Sequence, residues 1–534
     1  MRANTMRAYV FGANILENLT TGMYKDSKVI YREYIQNACD QIDKAYDRGL
    51  LRPSNPDSLG NLGSGRIDIW LDTDKRTISI EDNATGICAA DFEKTLADIA
   101  NSDKKLGEDK GFRGIGRLCG LAYCKELVFT STAEGENIIS IMRCDAIKMR
   151  ELITASEDGK KYTASEVLSS IYKFDSKNTG DKESHWFKVE MIGINDENTD
   201  LLDFTQIKEY LSFVAPVPYQ NTFLFRAEVY KHAKEIGCNI DEYNIFLNGE
   251  QIFKKYKTIF KTSKGEDEVF NLAFKEIYDS HNHLLAWLWI GVSHFKAIIS
   301  KECKMRGLRL RKENIQIGSE DALQKLFKED RGQHYFVGEV FAVSKDLIPN
   351  SQRDYFNENT ARMEFEKEMR QYFNGELSKI YHEGSAINSA FNKIDSYKKK
   401  KAELQKKRER GDFVDQNHFQ EAVADVEKAK VTAEKAVKDI EKKKSRTENE
   451  PDSVVGQVIA HIEKERKKQE TAKVEKTIKK SKQPTLAKRR VDITLPTYNR
   501  SERKLISKIF GIIVSATDEK TAEKIIRKIE DELQ

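Results

Sequence analysis

Proline is scarce in this chain. Eight prolines and 29 glycines in 534 residues are too few for a collagen-like or low-complexity composition. Long apolar runs are missing as well: the longest strongly apolar one, LLAWLWIGV at 284–292, is far short of the ~20 residues that span a bilayer. The opening MRANTMRAYVFGAN lacks the apolar stretch of a secretory signal. Seven cysteines, at 39, 88, 119, 124, 144, 238 and 303, include no C-x-x-C pair, which argues against a disulfide framework or a zinc finger. Charge of one sign is not in excess. Ninety Lys+Arg stand against 86 Asp+Glu, a net charge of +4, so overall charge does not point to nucleic acid. These absences lead to the expectation of a soluble protein of a reducing, cytoplasmic compartment, with no membrane partner.

The length calls for two to four cores. A third of the residues are charged and 39% are hydrophobic, so part of the chain should be exposed helix or tail. Texture divides it. Residues 1–225 mix alternating strands (RIDIWL at 66–71, TISIE at 77–81) with helical stretches and the densest glycine cluster. Residues 226–373 continue strands and helices with aromatic-rich segments. Residues 374–490 read as a basic helical arm, partly coiled coil or disordered, with eight basic residues between 398 and 410. Phe419, Val423, Val426, Ala433, Val437 and Ile440 fit a heptad seam with Lys430 in one core slot, consistent with a helical hairpin or a long coiled coil. Residues 448–453 should break that helix, and 464–490 should be exposed or disordered. Residues 491–534 are expected to form a small helical cap.

Three motifs follow one another in the first 120 residues. In the run EYIQNACDQID, Glu33 and Asn37 are four apart and share a helix face, with Asp40 a turn on. A carboxylate there can orient an attacking water, and an amide oxygen can ligand magnesium. In IEDNATGI a strand runs into a turn, so Asp82 can accept a hydrogen bond from a base's amino group while Gly86 lets backbone approach the ring. In KGFRGIGRL, Gly111, Gly114 and Gly116 leave backbone N–H groups bare ahead of a helix, a setting that suits phosphate. No G-x-x-x-x-G-K-[ST] occurs, which excludes a P-loop.

Together, in this order, the three resemble the ATP site of the GHKL superfamily, which joins DNA gyrase, the ninety-kilodalton heat-shock chaperone, histidine kinases and MutL. The look is nearest to the chaperone and prokaryotic microrchidia-like branches. The resemblance covers roughly residues 1–375. It implies an α+β chain: a Bergerat-type ATP-binding α/β sandwich, an α/β transducer (middle) domain, and a helical, partly coiled-coil C-terminal region. It also implies a Mg2+-dependent ATP hydrolase in which Glu33 positions water and Asn37 holds the metal. Asp82 and Gly86 would meet adenine, and Gly111, Arg113, Gly114 and Gly116, with Asp40, would complete nucleotide binding. Ser102, Lys104 and Lys110 would belong to a lid over 101–110. Farther on, SKDLIPNSQRDYF at 344–356 resembles the chaperone's middle-domain loop, so Arg353 would touch the terminal phosphate.

Two departures stand out. Ala84 replaces the first glycine of the family's D-x-G-x-G, a small change if its φ is negative. Ser184 and His185 occupy the place of a later Gly-Thr, so His185 is kept out of the site. The histidines at 281 and 283 lack a second ligand pair and are not assigned to a metal. Cys119 and Cys124 read as small core residues.

With little chain ahead of Glu33 for a phosphoacceptor helix and no visible cleavage region after the transducer, a histidine kinase and a gyrase subunit are not expected. A MutL-like repair factor stays open, although the tail shows no obvious metal-binding endonuclease motif. A nucleotide-gated dimeric clamp on double-stranded DNA, in the manner of microrchidia-type genome or phage defence, remains. So do a chaperone-like ATPase that remodels a protein partner and a nucleotide-gated scaffold for a protein effector. The alternating Arg309 and Arg311 and the basic arm lean toward DNA. The apolar residues of segment 1–19, among them Tyr9, Val10, Phe11, Ile15 and Leu16, suit exchange across a homodimer that tightens with ATP.

Overall fold

The computed structural model describes residues 10–22, 26–54, 62–99, 114, 116–178, 180–447, 450, 453–481 and 500–533. The chain divides into two compact units, Met1–Val458 and Ile459–Gln534. The architecture is α+β.

In the first unit, α1 (Asn14–Glu17) and α2 (Val29–Asp47) precede β1 (Arg66–Asp72) and β2 (Thr77–Asp82). Next come α3 (Ala89–Ala97), a 3-10 turn over Gly116–Ala122, β3 (Glu126–Thr132), β4 (Ile138–Asp145), α4 (Ala146–Glu157) and α5 (Ala164–Ile171). Then follow β5 (Tyr172–Asn178), β6 (Trp186–Ile192), α6 (Phe204–Val214), α7 (Arg226–Glu235), β7 (Asn244–Leu247) and β8 (Glu250–Gln251). These strands form one sheet, in the order β5-β4-β3-β6-β2-β1-β7-β8. Strand alternation explains which face is buried. Ile67, Ile69 and Leu71 of β1 and Ile78 and Ile80 of β2 point inward, joined by Ile30, Ile35, Cys39 and Ile42 of α2 in one core. The same period carries Asp82, two residues beyond Ile80, to the buried face. The sheet also takes β7 and β8 from beyond residue 225, with β7 parallel to β1 (Ile67 opposite Ile245).

A second sheet is built from β11 (Asn271–Tyr278), β12 (Leu284–Val292), β13 (Gly307–Lys312), β14 (Ile315–Gln316) and β15 (Val337–Ala342), after a hairpin of β9 (Ile259–Thr262) and β10 (Gly265–Glu268). Its order is β11-β12-β15-β13-β14. Strand β12, the chain's longest apolar run, lies between β11 and β15 and is buried on both faces, as unbroken hydrophobicity in a strand requires. Trp289 packs edge-on to Tyr256 and Tyr219.

Arg309 and Arg311 overturn one expectation. Their alternation on β13 suggests a solvated or nucleic-acid-facing stripe, yet they are 4% and 0% exposed. The reason is a counter-ion from a distant strand. Glu339 of β15 pairs with Arg311 and also lies 3.1 Å from Lys254 Nζ, all three fully buried. Burial alone would raise the Glu339 carboxyl, but Arg311 and Lys254 outweigh it and hold it at about 2. Arg311 also donates to the Phe213 carbonyl of α6, at 2.8 Å, tying the second sheet to the first layer.

Helices α8 (Thr360–Tyr372), α9 (Ser378–Arg410) and α10 (Gln416–Thr447) follow. Gly411, with φ of 68°, ends α9 in the left-handed conformation, and α10 folds back along it as a hairpin. Its inward stripe differs from the expected seam. Ala433, Ala436 and Ile440 are buried, whereas Val423 and Val437 are 40% and 39% exposed. Alanines at 422, 429 and 436 let the two helices approach closely, so the seam runs one residue earlier in alternate slots and leaves Lys430 outside.

Helix α11 (Val454–Ser481) continues through most of the stretch expected to be exposed or disordered; residues 482–490 lie outside the described part. In the second unit, α12 (Arg500–Ala516) and α13 (Glu519–Leu533) pack around Phe510 and Ile526. No helix among the described residues is long and apolar enough to cross a membrane.

Candidate functional site

A cavity of about 540 Å³ opens beside α2. The helix is fixed from below by Ile35, Ala38 and Ile42 in the core, so its 3.6-residue period turns Glu33, Asn37, Gln41, Lys44 and Arg48 successively into the cavity wall. Glu33 is 6% exposed and Asn37 is half-buried. Asp40 stands apart from these residues. It is buried at 4% but does not line the cavity, because a step of three from Asn37 carries it to the side of the helix, where Gln41 stands in its place.

Ile80, Phe129, Phe187 and Val189 give the cavity an apolar slot, with the two phenylalanine rings stacked at 6.0 Å. Asp82 closes it. Burial pushes this carboxyl up to about 7, Glu81 alongside adds to the rise, and the Ala84 N–H, donating to Oδ1 at 3.1 Å, opposes it. Ala84 is fully buried and lies outside the left-handed region, so the alanine is accommodated as a negative φ allows. Gly86 cannot be replaced so simply: its φ is +61°, and a Cβ would sit 1.8 Å from the Thr132 carbonyl oxygen. Thr85, buried at the same turn, donates its hydroxyl to Gln41 Oε1 at 2.9 Å. His185 stays outside the lining. Its Nδ1 meets the Ala84 carbonyl, bracing the turn from behind.

At the other end stand Gly114, with φ of +66°, and Gly116. A Cβ on Gly116 would lie 2.5 Å from Glu33 Oε2, so only glycine leaves the carboxylate its room. Ser102, Lys104, Lys110, Gly111 and Arg113 lie outside the described residues, as does the lid segment 101–110.

The last wall comes from the second sheet's side of the molecule. Residues 350–355 form a tight turn: Asn350 N donates to the Tyr355 carbonyl at 2.9 Å, and Asn350 Nδ2 to Asp354 Oδ1 at 2.6 Å. Leu347 and Phe356 are buried anchors on either side. At the tip Arg353 has φ of +53°, unusual for a residue with a side chain and a conformation found where surrounding structure over-determines the backbone. Arg32 holds it there, donating to the carbonyls of Gln352 and Arg353 at 3.2 and 3.5 Å. Arg353 Nε then reaches Glu33 Oε1 at 3.2 Å.

The structure thus brings Glu33, Asn37, Asp82, Gly86, Gly114, Gly116 and Arg353 around one cavity. The sequence reading missed Gln41, Thr85, Phe129, Phe187 and Ser351. Gln41 was legible as the next residue on the Glu33–Asn37 face. The phenylalanines were not, since apolar strand residues look alike whether they meet a core or a ligand.

Residues 31–178 match the family described as histidine kinase-, DNA gyrase B-, and HSP90-like ATPase. This segment is a GHKL ATPase domain. Beyond it, the chain is similar to the chaperone protein HtpG of Fusobacterium nucleatum, 25% identical over 354 residues, 64% of this chain and 48% of that protein. It is also similar to the HtpG proteins of Escherichia coli O1:K1 and K12, each 31% identical over 287 residues, 51% of this chain and 40% of theirs. The chain spans about half the length of the curated relatives it matches. The GHKL segment contains every cavity residue named from α2, β2 and the glycine turn, whereas Arg353 lies outside it.

Proposed function

We propose that the protein binds ATP with Mg2+ in this cavity and hydrolyses it under the control of the second sheet's Arg353 loop. The observation that carries the reading is the Arg353–Glu33 contact, which joins a GHKL carboxylate to a residue outside that domain. The residues fit the nucleotide. The apolar slot closed by a buried carboxyl acceptor suits an adenine, and the Gly86 and Gly116 positions leave no space for side chains. Asn37 offers one hard oxygen a helical turn from Glu33, in keeping with a metal that takes most of its ligands from water and phosphate. Magnesium, when bound, supplies charge neutralisation along the triphosphate.

Glu33 is the general base that orients water toward the terminal phosphate. While paired with Arg353 its carboxylate is engaged. A phosphate group beside Arg353 competes for the guanidinium and leaves Glu33 for the water, so nucleotide and domain geometry are read by one arginine. Glu33→Ala is expected to bind ATP and to turn over ~10²–10⁴ times more slowly, the usual loss for a general base. An unchanged rate in that variant would remove Glu33 from the role.

The resemblance to HtpG chaperones supports a protein as the partner remodelled or scaffolded by this cycle, and a cytoplasmic homodimer as the working form. Sedimentation with and without a non-hydrolysable ATP analogue tests the dimer; a monomer at micromolar concentration in both samples would contradict it. A second reading keeps double-stranded DNA as the partner, with a role in genome or phage defence. The basic stretch of α9 favours it: Lys398–Lys401, Lys406, Lys407, Arg408 and Arg410 are exposed. DNA stimulation of ATP hydrolysis that fades with added salt would select this reading, and indifference to DNA would select the protein partner.

A further inference from the structure

A second cavity, of about 640 Å³, lies on the far side of the Arg353 loop from the first, between α2, α6 and the segment after β13. Its lining holds a buried guanidinium that forms no salt bridge among the described residues. Arg309 and Arg311 sit two apart on β13 and share a face. Arg311 is neutralised by Glu339. Arg309 is also buried, at 4% exposure, but no carboxylate forms a salt bridge with it among the described residues, and the charges of Glu320 and Glu339 act on it only from farther off. Its contacts are Gln316 Oε1 at 2.7 Å, the Lys304 carbonyl, and the face of Phe213 at 4.3 Å. A guanidinium remains charged under all ordinary conditions, and a buried charge whose direct contacts are all neutral is costly. Arg32, also lining this cavity, is 9% exposed, and its nearest carboxylate, Glu33 at 3.7 Å, is already engaged by Arg353. The Nε atoms of Arg309 and Arg32 are both buried without a hydrogen-bond partner among the described residues.

We propose that this cleft binds a small molecule through an oxyanion group, a phosphate or a carboxylate, that bonds to Arg309 and Arg32. The planar guanidinium offers paired N–H donors that match either group. The volume falls within the ordinary range of small-molecule sites. Asp26 and Glu320, exposed in the same lining, set the size limit, because carboxylates at the mouth repel a polyanion such as nucleic acid but tolerate one compact anion. Arg353 stands in the walls of both cavities, so the occupant lies against the residue that reaches Glu33. The binding claim itself does not rest on the ATPase reading.

The test is calorimetric titration of the full chain with inorganic phosphate and, separately, with succinate, each with and without saturating ADP. ADP removes the first cavity from competition, and the two anions separate a phosphate ligand from a carboxylate one. At least one anion is expected to bind at millimolar concentration in the presence of ADP, and Arg309→Gln to weaken it at least about tenfold. Ala322→Trp, which fills the cleft and leaves every arginine in place, is expected to do the same, and it decides the matter if Arg309→Gln does not fold. The proposal is overturned if neither anion binds, if ADP displaces the anion, or if Ala322→Trp binds it as the wild type does. A chain that binds no ADP would contradict the ATPase reading alone, since anion binding and its loss in the variants would still be measured.

Discussion

Arg353 Nε lies 3.2 Å from Glu33 Oε1, and both side chains are buried. One belongs to the GHKL domain and the other to a turn after the second sheet. The turn's own hydrogen bonds, the left-handed φ at its tip, and Arg32 beneath it all act on the placement of this single guanidinium. Several local constraints therefore converge on one contact, which makes that contact a point where domain geometry and cavity chemistry are coupled.

Gly86 gives a sharp prediction. Gly86→Ala puts a methyl 1.8 Å from the Thr132 carbonyl at a φ of +61°, so the turn must move away from β3. The expected result is a loss of about 1–3 kcal/mol in stability and at least about a tenfold loss of ATP affinity. Gly135→Ala is the control: its φ is also positive, at +87°, but nothing lies within 4 Å of the added atom. It should cost some stability and leave nucleotide affinity alone. Equal affinity losses in the two variants would show that backbone strain, and not the cavity, is responsible.

Asp82 carries a pH signature. Its carboxyl titrates near 7 in the folded chain and near 3.8 when unfolded, so between those values the folded state holds the extra proton. Ionising this buried group opposes folding. The penalty is absent below about pH 3.8, grows as pH rises, and is complete above about pH 7. Asp82→Asn removes it, and should stabilise the nucleotide-free protein by on the order of 2–4 kcal/mol at pH 8 but little at pH 4. The same variant should lose ATP binding, because the amide carbonyl is a weaker acceptor than a carboxylate and the amide NH2 opposes the adenine amino group donor to donor. Melting curves at the two pH values check the first claim and equilibrium binding checks the second.

Glu339 should matter to stability far more than an exposed acid. Glu339→Gln leaves Arg311 and Lys254 buried without their shared anion, a loss of about 3–5 kcal/mol. Glu235→Gln, which breaks an exposed pair with Lys231, should cost about 0–1 kcal/mol. Denaturant midpoints of the two variants measure the contrast.

Much of the site was legible because it depends on short-range periodicity. Glu33 and Asn37 share a face through helix spacing, and Asp82 falls inward by alternation with Ile78 and Ile80. Arg353 was legible only through the family's loop. The misreading of Arg309 and Arg311 has a physical origin: the counter-ion of Arg311 sits on β15, and strand pairing across that separation leaves no local trace. The α10 seam slipped for a related reason, since alanine and valine fit a heptad equally well until the partner helix sets the distance. Val426, Ala433 and Ile440 were placed on the inward side, whereas Val423 and Val437 were not inward at all.

The most direct test of the coupling is Arg353→Ala, assayed for equilibrium ATP affinity and for steady-state hydrolysis in one preparation. The account predicts affinity within about threefold of wild type and turnover lower by ~10² or more, because the guanidinium acts on the charge that develops at the terminal phosphate. Wild-type turnover in Arg353→Ala would contradict it and leave the Arg353–Glu33 contact as a structural ion pair.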